Sequence, residues 1–506
     1  MIAPKLPTSP SRRNFLRGAA AVPFVLWLSS TRADSLGTLV RYDAGSPMGL
    51  SMLETYADAV RLMKLRSEGD PMSWTWWWYN HFVNGDTTKA DEISRIFQGG
   101  VTTESNLANE VWNTCQSHAG QNYNHFFPWH RIFLIYFEDV IRTVSGRADF
   151  TLPYWNYTSP DPTKRGILPP QFRMPTDPLY STLHRPDRTS LANSGQPIHK
   201  NQPGDQMDVS TAMACTSYSN VGTVMGFCRS IDSGIHGKIH GLVGTAKNMG
   251  KIPYAARDPL FWVHHVNIDR LWALWNHNGG TNPTTATWAK KVFVFADGQG
   301  QRVTGALKDF CDLSTLGYTY DDLLPPGQSK QSAQTMQVQR AAPSLNVTPE
   351  TVARGASVAN LGAKPVRVSL LRVPGARTTE VVGLADTADG KRTYLVLKNL
   401  HTWKQPEVLY HVYLVPGRGS HGLGKASYVD AINFFDAEFH DHGHGDKADV
   451  LNENFYSFDV TEILQRVVRA GNKADARESL SVVFVPGGRP TAGAEPLVGT
   501  IELARQ

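Results

Sequence analysis

The order of apolar and polar positions changes character once along this chain. In the first part the apolar residues recur at helical spacing. Met52, Tyr56, Val60 and Met63 follow Ser51-Met-Leu-Glu54, a capping box, and predict a core helix. A second helix is predicted from Trp129 to Val144, with Pro128 at its start, where proline's fixed φ suits a first turn. A third opens at Pro259 and carries the stripe Ile268, Leu271, Trp275. Between Pro153 and Ser233 few periodic runs occur, as in loops that wall a site or wander over a surface. From about Asp322 the pattern shifts. Leu324-Pro325-Pro326-Gly and the Gln/Ser/Ala-rich stretch to Pro343 have the composition of a linker. Beyond it, short runs separated by Gly, Pro and Asp predict strands at Val366 to Val373, Tyr394 to Leu397, Val408 to Val415, Phe455 to Val460, Leu480 to Val485 and Val498 to Leu503. We therefore expect a mainly α domain over residues 36–325, a linker over 326–350 and an all-β sandwich or jelly roll over 351–506.

The first 35 residues lie outside this scheme. Ser11-Arg12-Arg13-Asn14-Phe15-Leu16 is a twin-arginine pattern, followed by the apolar run Gly18 to Leu28 and a small residue, Ala33, for cleavage. The run is too short for a comfortable membrane span, so an exported protein, periplasmic or secreted, is expected. Composition adds little: 41% hydrophobic, 19% charged, and a net charge of +5. That charge is diffuse, and without a basic run or RNA-binding motif it excludes nucleic acid as the expected partner. Four cysteines in 506 residues make no disulfide scaffold, although Cys215 and Cys228 could pair in an oxidising compartment, leaving Cys311 over.

The candidate chemistry is carried by histidine. Asp232-Ser-Gly-Ile-His236-Gly-Lys-Ile-His240 places two imidazoles four apart, on one face of a helix. The helix opening at Pro259 adds His264-His265, and three neutral imidazoles around one ion suit copper, zinc or iron. His-x-x-x-His alone is common and often structural, so it is the second cluster that changes the picture. Upstream lie His81, after the aromatic run Trp74 to Tyr79, and then Cys115-Gln-Ser-His118, His125 and Phe126-Phe127-Pro128-Trp129-His130-Arg131. Two such sets, each ending in an aromatic helix, imply two equivalent metals.

At Phe-Phe-Pro-Trp-His-Arg and Asp258-Pro-Leu-Phe-Trp-Val-His-His-Val-Asn-Ile-Asp-Arg-Leu-Trp272 the chain resembles the tyrosinase and catechol oxidase family, the type-3 dicopper proteins, from about Arg41 to Tyr320. The resemblance implies a four-helix bundle holding two copper ions, with dioxygen and phenols or catechols as substrates. It implies His81, His118 and His130 as ligands of one copper, copper A. His118 stands twelve before His130 where the family spacing is nine, so a three-residue insertion is expected in Ala119 to Asn124, with His125 as the other candidate. It implies His236, His240 and His265 as ligands of copper B, since the family ligand lies seven after the Asp of Asp-Pro. Asp269 would orient a ligand, Cys115 would be a candidate for a thioether to His118, and Arg41 would stack on Tyr318-Thr-Tyr320. Phe458-Asp459-Val460-Thr-Glu-Ile-Leu and Val483-Phe-Val-Pro-Gly-Gly resemble the C-terminal domain of plant-type polyphenol oxidases, which in relatives covers the copper site and keeps the enzyme latent.

Three positions bear on activity. Where relatives carry glutamate four before the first copper B histidine and asparagine just after it, a pair thought to hold a water that deprotonates phenols, this chain has Asp232 and Gly237. Catechol oxidation to o-quinone is thus expected more firmly than monophenol hydroxylation. Ile252, thirteen before His265, stands where relatives place a gate residue, and a medium aliphatic leaves an open mouth. The open gate and the export signal argue against the alternative of a reversible oxygen carrier like the haemocyanins. Phe439-His440-Asp441-His442-Gly-His444-Gly-Asp446 invites a weak metal-binding reading, against which a solvated loop is preferred.

Overall fold

The computed structural model describes residues 38–116, 124–324, 348–376, 381–416, 423–438, 455–470 and 480–506. The principal helices are α1 Pro47–Lys64, α2 Trp74–His81, α3 Lys89–Phe97, α4 Thr103–Val111, α5 Phe126–Ser145, α6 Gly237–Val243, α7 Pro259–His277 and α8 Thr461–Ala470. Helix α1 buries Met52, Tyr56, Val60 and Met63 as the spacing predicts, but it starts earlier than the capping box implies. Ser46 is the cap, its hydroxyl accepting from the Gly49 amide at 3.0 Å, while Ser51 lies inside the helix and accepts from Arg147. Helix α5 likewise starts earlier, at Phe126, because Phe126 and Phe127 are buried in its first turn. Asp258 caps α7 through the Leu260 amide at 2.9 Å and is itself paired with buried Arg188.

Aromatic rings fill the space between these helices. Trp262 of α7 stacks on Phe137 of α5 with centroids 3.5 Å apart, and Trp77 of α2 stacks on Phe133 of α5 at 5.7 Å. Such pairs add about 0.5–1.5 kcal/mol each beyond their burial and fix helix separation. The Pro153 to Ser233 region winds around the helices with only short helical turns. Cys215 and Cys228 remain thiols, so the disulfide does not form: the Cys215 sulfur lies against the Thr211 carbonyl and the Ser230 hydroxyl, and Cys228 is buried beside Tyr218.

Strand β1 (Leu39–Arg41) pairs in parallel with β4 (Tyr318–Tyr320) and brings the two ends of the helical region together. Arg41 lies 3.9 Å above the Tyr318 ring, as expected, and also pairs at 2.9 Å with Glu138 of α5 and with Asp269 of α7. Asp269 accepts from Arg131 at 2.6 Å and from the Tyr318 and Tyr320 hydroxyls. It therefore does not orient a metal ligand; its carboxylate is used up in neutralising two buried guanidinium groups. Strands β2 (Val292–Ala296) and β3 (Arg302–Ala306) form a hairpin over the same helices.

The C-terminal region is a nine-stranded antiparallel sheet: β5 Glu350–Gly355, β6 Ala359–Asn360, β7 Val366–Arg372, β8 Thr393–His401, β9 Tyr410–Pro416, β10 Tyr428–Ile432, β11 Phe455–Asp459, β12 Leu480–Pro486 and β13 Leu497–Arg505. Each predicted run falls on a strand, and β5, β6 and β10 are additional. The order is β10-β9-β12-β7-β5-β13-β8-β11, with β6 on β13, so pairing is continuous instead of divided between two sheets. Its end strands meet where the Asn433 amide donates to the Tyr456 hydroxyl at 3.2 Å, leaving the sheet nearly closed as a barrel around Leu395, Leu397, Val412, Leu414, Val482 and Phe484.

Candidate metal centre

The site begins with the two long helices. On α7, Pro259 and the Asp258 cap fix the first turn, which carries His264 and His265 inward one turn later. Before α6 the helix widens into a π turn over Ser230–His236, broken at Gly234, and this turn delivers His236, with His240 four further on the same face. His236, His240, His264 and His265 are all buried, and each offers a ring nitrogen within 4.8 Å of those of the others. His81 ends α2 and His130 lies in the second turn of α5; with Cys115 they form a second such group. The groups face each other. His130 and His265 stack nearly parallel with centroids 4.3 Å apart, and Phe126 lies 4.7 Å from both His130 and His236.

Backbone acceptors settle which nitrogen of a ring looks inward. His130 Nδ1 lies 2.8 Å from the Phe126 carbonyl and His240 Nδ1 lies 2.7 Å from the Met249 carbonyl, leaving each Nε2 for an ion. His236 Nδ1 lies 3.2 Å from the Asp232 carbonyl and 3.0 Å from its carboxylate, so Asp232 holds a ligand in place. Both ring nitrogens of His265 and of His264, and Nε2 of His240, are buried without a hydrogen-bond partner. Orphaned buried nitrogens are costly in a native protein, and an ion accounts for one nitrogen on each ring that ligates it. Burial also keeps the imidazoles neutral. It pulls the His81 pKa down to about 3, helped by neighbouring His236, and that of His236 to about 4; His130, His240, His264 and His265 are driven well below the usual range for the same reason. Neutral imidazoles present lone pairs at any physiological pH and suit copper.

The sequence-predicted residues fall as follows. His81, His130, His236, His240 and His265 converge, and His265, not His264, lies against the opposite group. His264 belongs to the same close group as His236 and His240, and its ring also lies 5.5 Å from Tyr157. His118 and the stretch Phe439 to Asp446 lie outside the described residues. His125 is buried beside Phe293, at 5.8 Å, and stands apart from both groups. Ile252 is buried at the start of a short helix, and its backbone opposes the burial-driven depression of the His81 pKa. Cys115, expected beside His118, has its sulfur 3.7 Å from His130 Nε2.

The resemblance implied a C-terminal domain over the site, but sequence reasoning did not find Phe435 and Asp436 as the residues that reach it. The Phe435 ring lies parallel on His240 at 4.0 Å and 5.7 Å from His236, and an Asp436 oxygen joins Asp232 and His236 in a group within 4.8 Å. Burial raises the Asp436 pKa, with His236 and Arg229 opposing it. The only local signal was a pair of aromatics, Phe434-Phe435, immediately after a strand.

A model of the common central domain of tyrosinase matches residues 95–278. The chain is 31% identical over 378 residues to a tyrosinase of Hahella sp., covering 69% of this chain and 75% of that one. The chain belongs to the tyrosinase family. A chloroplastic polyphenol oxidase of Vicia faba is 29% identical over 242 residues, 42% of this chain and 39% of its own. Among solved structures, a latent aurone synthase matches 93% of this chain and 90% of its own with TM-score 0.57 at 19% identity. A latent apple tyrosinase matches 92% and 97% with TM-score 0.56 at 20% identity, and both likenesses show a common fold. As a family member this protein is a copper-dependent phenol oxidase with two copper ions, and the paired imidazole groups fit them.

Proposed function

We propose that this tyrosinase-family protein oxidises o-diphenols to o-quinones with dioxygen, and hydroxylates monophenols poorly. The observation that carries the reading is the facing of two buried imidazole groups through His130 and His265. His81, His118 and His130 would hold copper A, and His236, His240 and His265 copper B. When bound, the two ions supply the one-electron redox capacity that couples dioxygen reduction to catechol oxidation. The chain supplies geometry. Carbonyl anchors on His130 and His240 fix the rings, while Phe126 and Phe261, the latter 4.1 Å from His265, keep water away and present faces to a phenyl ring. Proton handling separates the two activities. A monophenol must lose its proton to bind, yet Asp232 is engaged with His236 and Gly237 has no side chain. A catechol is the easier substrate because it brings a second hydroxyl and needs no new C–O bond.

We read α2, α5, α6 and α7 as the four-helix bundle of a catalytic domain over 36–325, and the near-closed sheet over 351–506 as a jelly-roll-type domain joined by the linker 326–350. Phe435 over His240 occupies the place of a substrate ring, which supports a latent enzyme; the two relatives of shared fold are themselves described as latent. Residues 1–35 are proposed as a twin-arginine export signal, and replacing Arg12 and Arg13 by lysine should leave the precursor in the cytoplasm. The decisive assay is oxygen uptake by copper-loaded protein with catechol and with tyramine, before and after limited proteolysis between residues 325 and 347. Strong uptake with catechol and weak uptake with tyramine is expected. Equal rates would sink the argument from Asp232 and Gly237, and no uptake by the copper-loaded, cleaved protein would sink the oxidase reading.

A further inference from the structure

The wall beside His236 is cut away at one position, and the C-terminal domain fills the cut. A Cβ built on Gly237 would lie 2.4 Å from Oδ1 and 2.6 Å from Nδ2 of Asn433, closer than such atoms approach in real proteins. Asn433 is buried, and its carboxamide is used at both ends. Nδ2 donates to the Ser233 carbonyl at 2.8 Å, on the π turn that precedes Gly237. Oδ1 accepts from the Phe435 amide at 3.1 Å and so shapes the turn that carries the Phe435 ring onto His240. The Tyr456 hydroxyl lies 3.0 Å from the same Ser233 carbonyl, making a second tie between sheet and helix. One turn on, Gly241 differs: a Cβ there would meet nothing nearer than Leu409 of the C-terminal domain at 3.8 Å, an ordinary contact.

We infer that Gly237 is the socket that lets the C-terminal domain close over the copper B histidines, so that a side chain at 237 and a seated Phe435 exclude one another. The carboxamide cannot slide aside, because moving it breaks the Ser233 bond and the Phe435 turn together. Glycine inside a helix is less favourable than alanine, so its presence here answers a demand for space. The inference rests on the covering reading above, and its test is chosen to separate the two.

Copper-loaded full-length Gly237→Ala and Gly241→Ala chains would be compared by amide hydrogen exchange across residues 428–438 and by oxygen uptake with catechol. Gly237→Ala should speed exchange at least roughly tenfold and raise uptake, whereas Gly241→Ala should leave both as in the parent. Asn433→Ala alone should also speed exchange, since it removes the Ser233 and Phe435 bonds, and adding it to Gly237→Ala should change little further, because both substitutions unseat the same turn. Should Gly237→Ala fold poorly, Asn433→Gln presses one extra methylene against the same spot and should act alike. Faster exchange with unchanged uptake would keep the socket and remove the latency reading. Parent-like exchange in both Gly237→Ala and Asn433→Gln would overturn the inference.

Discussion

The two imidazole groups are built differently. The group proposed to hold copper B comes from two short stretches, His236 to His240 in one helical run and His264-His265 on another helix, each set by helical periodicity. The copper A group draws His81 from the end of α2 and His130 from α5, with Cys115 entering from the loop between them. Among the described residues the C-terminal domain stacks a ring on the copper B side, Phe435 on His240, while Asp436 lies beside His236 and also acts on Cys115, helping burial to raise its pKa. Ligands close in sequence give a rigid wall against which a cover can be fitted; ligands gathered from afar depend on the packing that gathers them. Arg41, Arg131, Glu138 and Asp269 tie α5 to α7 and hold the two groups at one separation.

The comparison can be tested from its strongest effect downward. His240→Ala should lower bound copper from two ions per chain to one, by elemental analysis, and abolish catechol turnover. Its loss should exceed the roughly 100-fold that removing a ligand's outer partner costs. His81→Ala should empty the other site; if either variant loses both ions, the groups are not independent. Asp269→Ala should cost roughly 3–5 kcal/mol of stability, because it strands the buried Arg131 guanidinium and leaves Arg41 with Glu138 alone. Chemical denaturation measures this, and copper loss from both sites alike is expected, since the network belongs to neither.

Phe435→Ala should raise catechol turnover of the full-length chain by roughly tenfold, as a stacked aromatic cap is worth about 0.5–1.5 kcal/mol and its burial adds to that. Copper content should not change, and a parent-like rate would deny Phe435 its covering role. Acid should act in the same direction. His411 sits at the interface with Nε2 donating to Gln202 at 2.7 Å and Nδ1 3.4 Å from the Tyr428 hydroxyl. Burial holds its pKa down to about 4, aided by Lys238 and opposed by Asp430. An undocked histidine titrates near 6.5, so the closed form keeps its full advantage above that pH and loses it as pH falls toward 4. Opening should be favoured roughly twentyfold at pH 5 relative to pH 7, and His411→Gln should flatten that part of the profile. The smallest effect is expected at Cys115: Cys115→Ser should reduce copper A occupancy by less than about tenfold, as for a neighbour of a ligand. Complete loss of that ion would make the thiol a ligand in its own right.

Much of the molecule was legible in advance where the signal is local. The apolar spacing of Met52 to Met63 and of Ile268 to Trp275 placed two core helices, and alternating runs from Val366 to Leu503 located most of the sheet. The caps were less legible, because Ser46 and Ser51 both suit an N-cap, and it is Ser46 that is followed by a proline whose fixed φ suits the first helical position. Asp269 looked like a ligand's partner, one turn after His265, until Arg41, hundreds of residues away in sequence, claimed it.

The amino-acid order by itself determined the helices, the strands and the set of histidines, since each follows from spacing along a single element and from ring chemistry. Tertiary structure alone decided that Asp269 serves two arginines and that Asn433 and Phe435 of the sheet settle against Gly237 and His240. Those are contacts between surfaces whose complementarity depends on shape and burial, and no periodicity within either surface encodes where the other will rest.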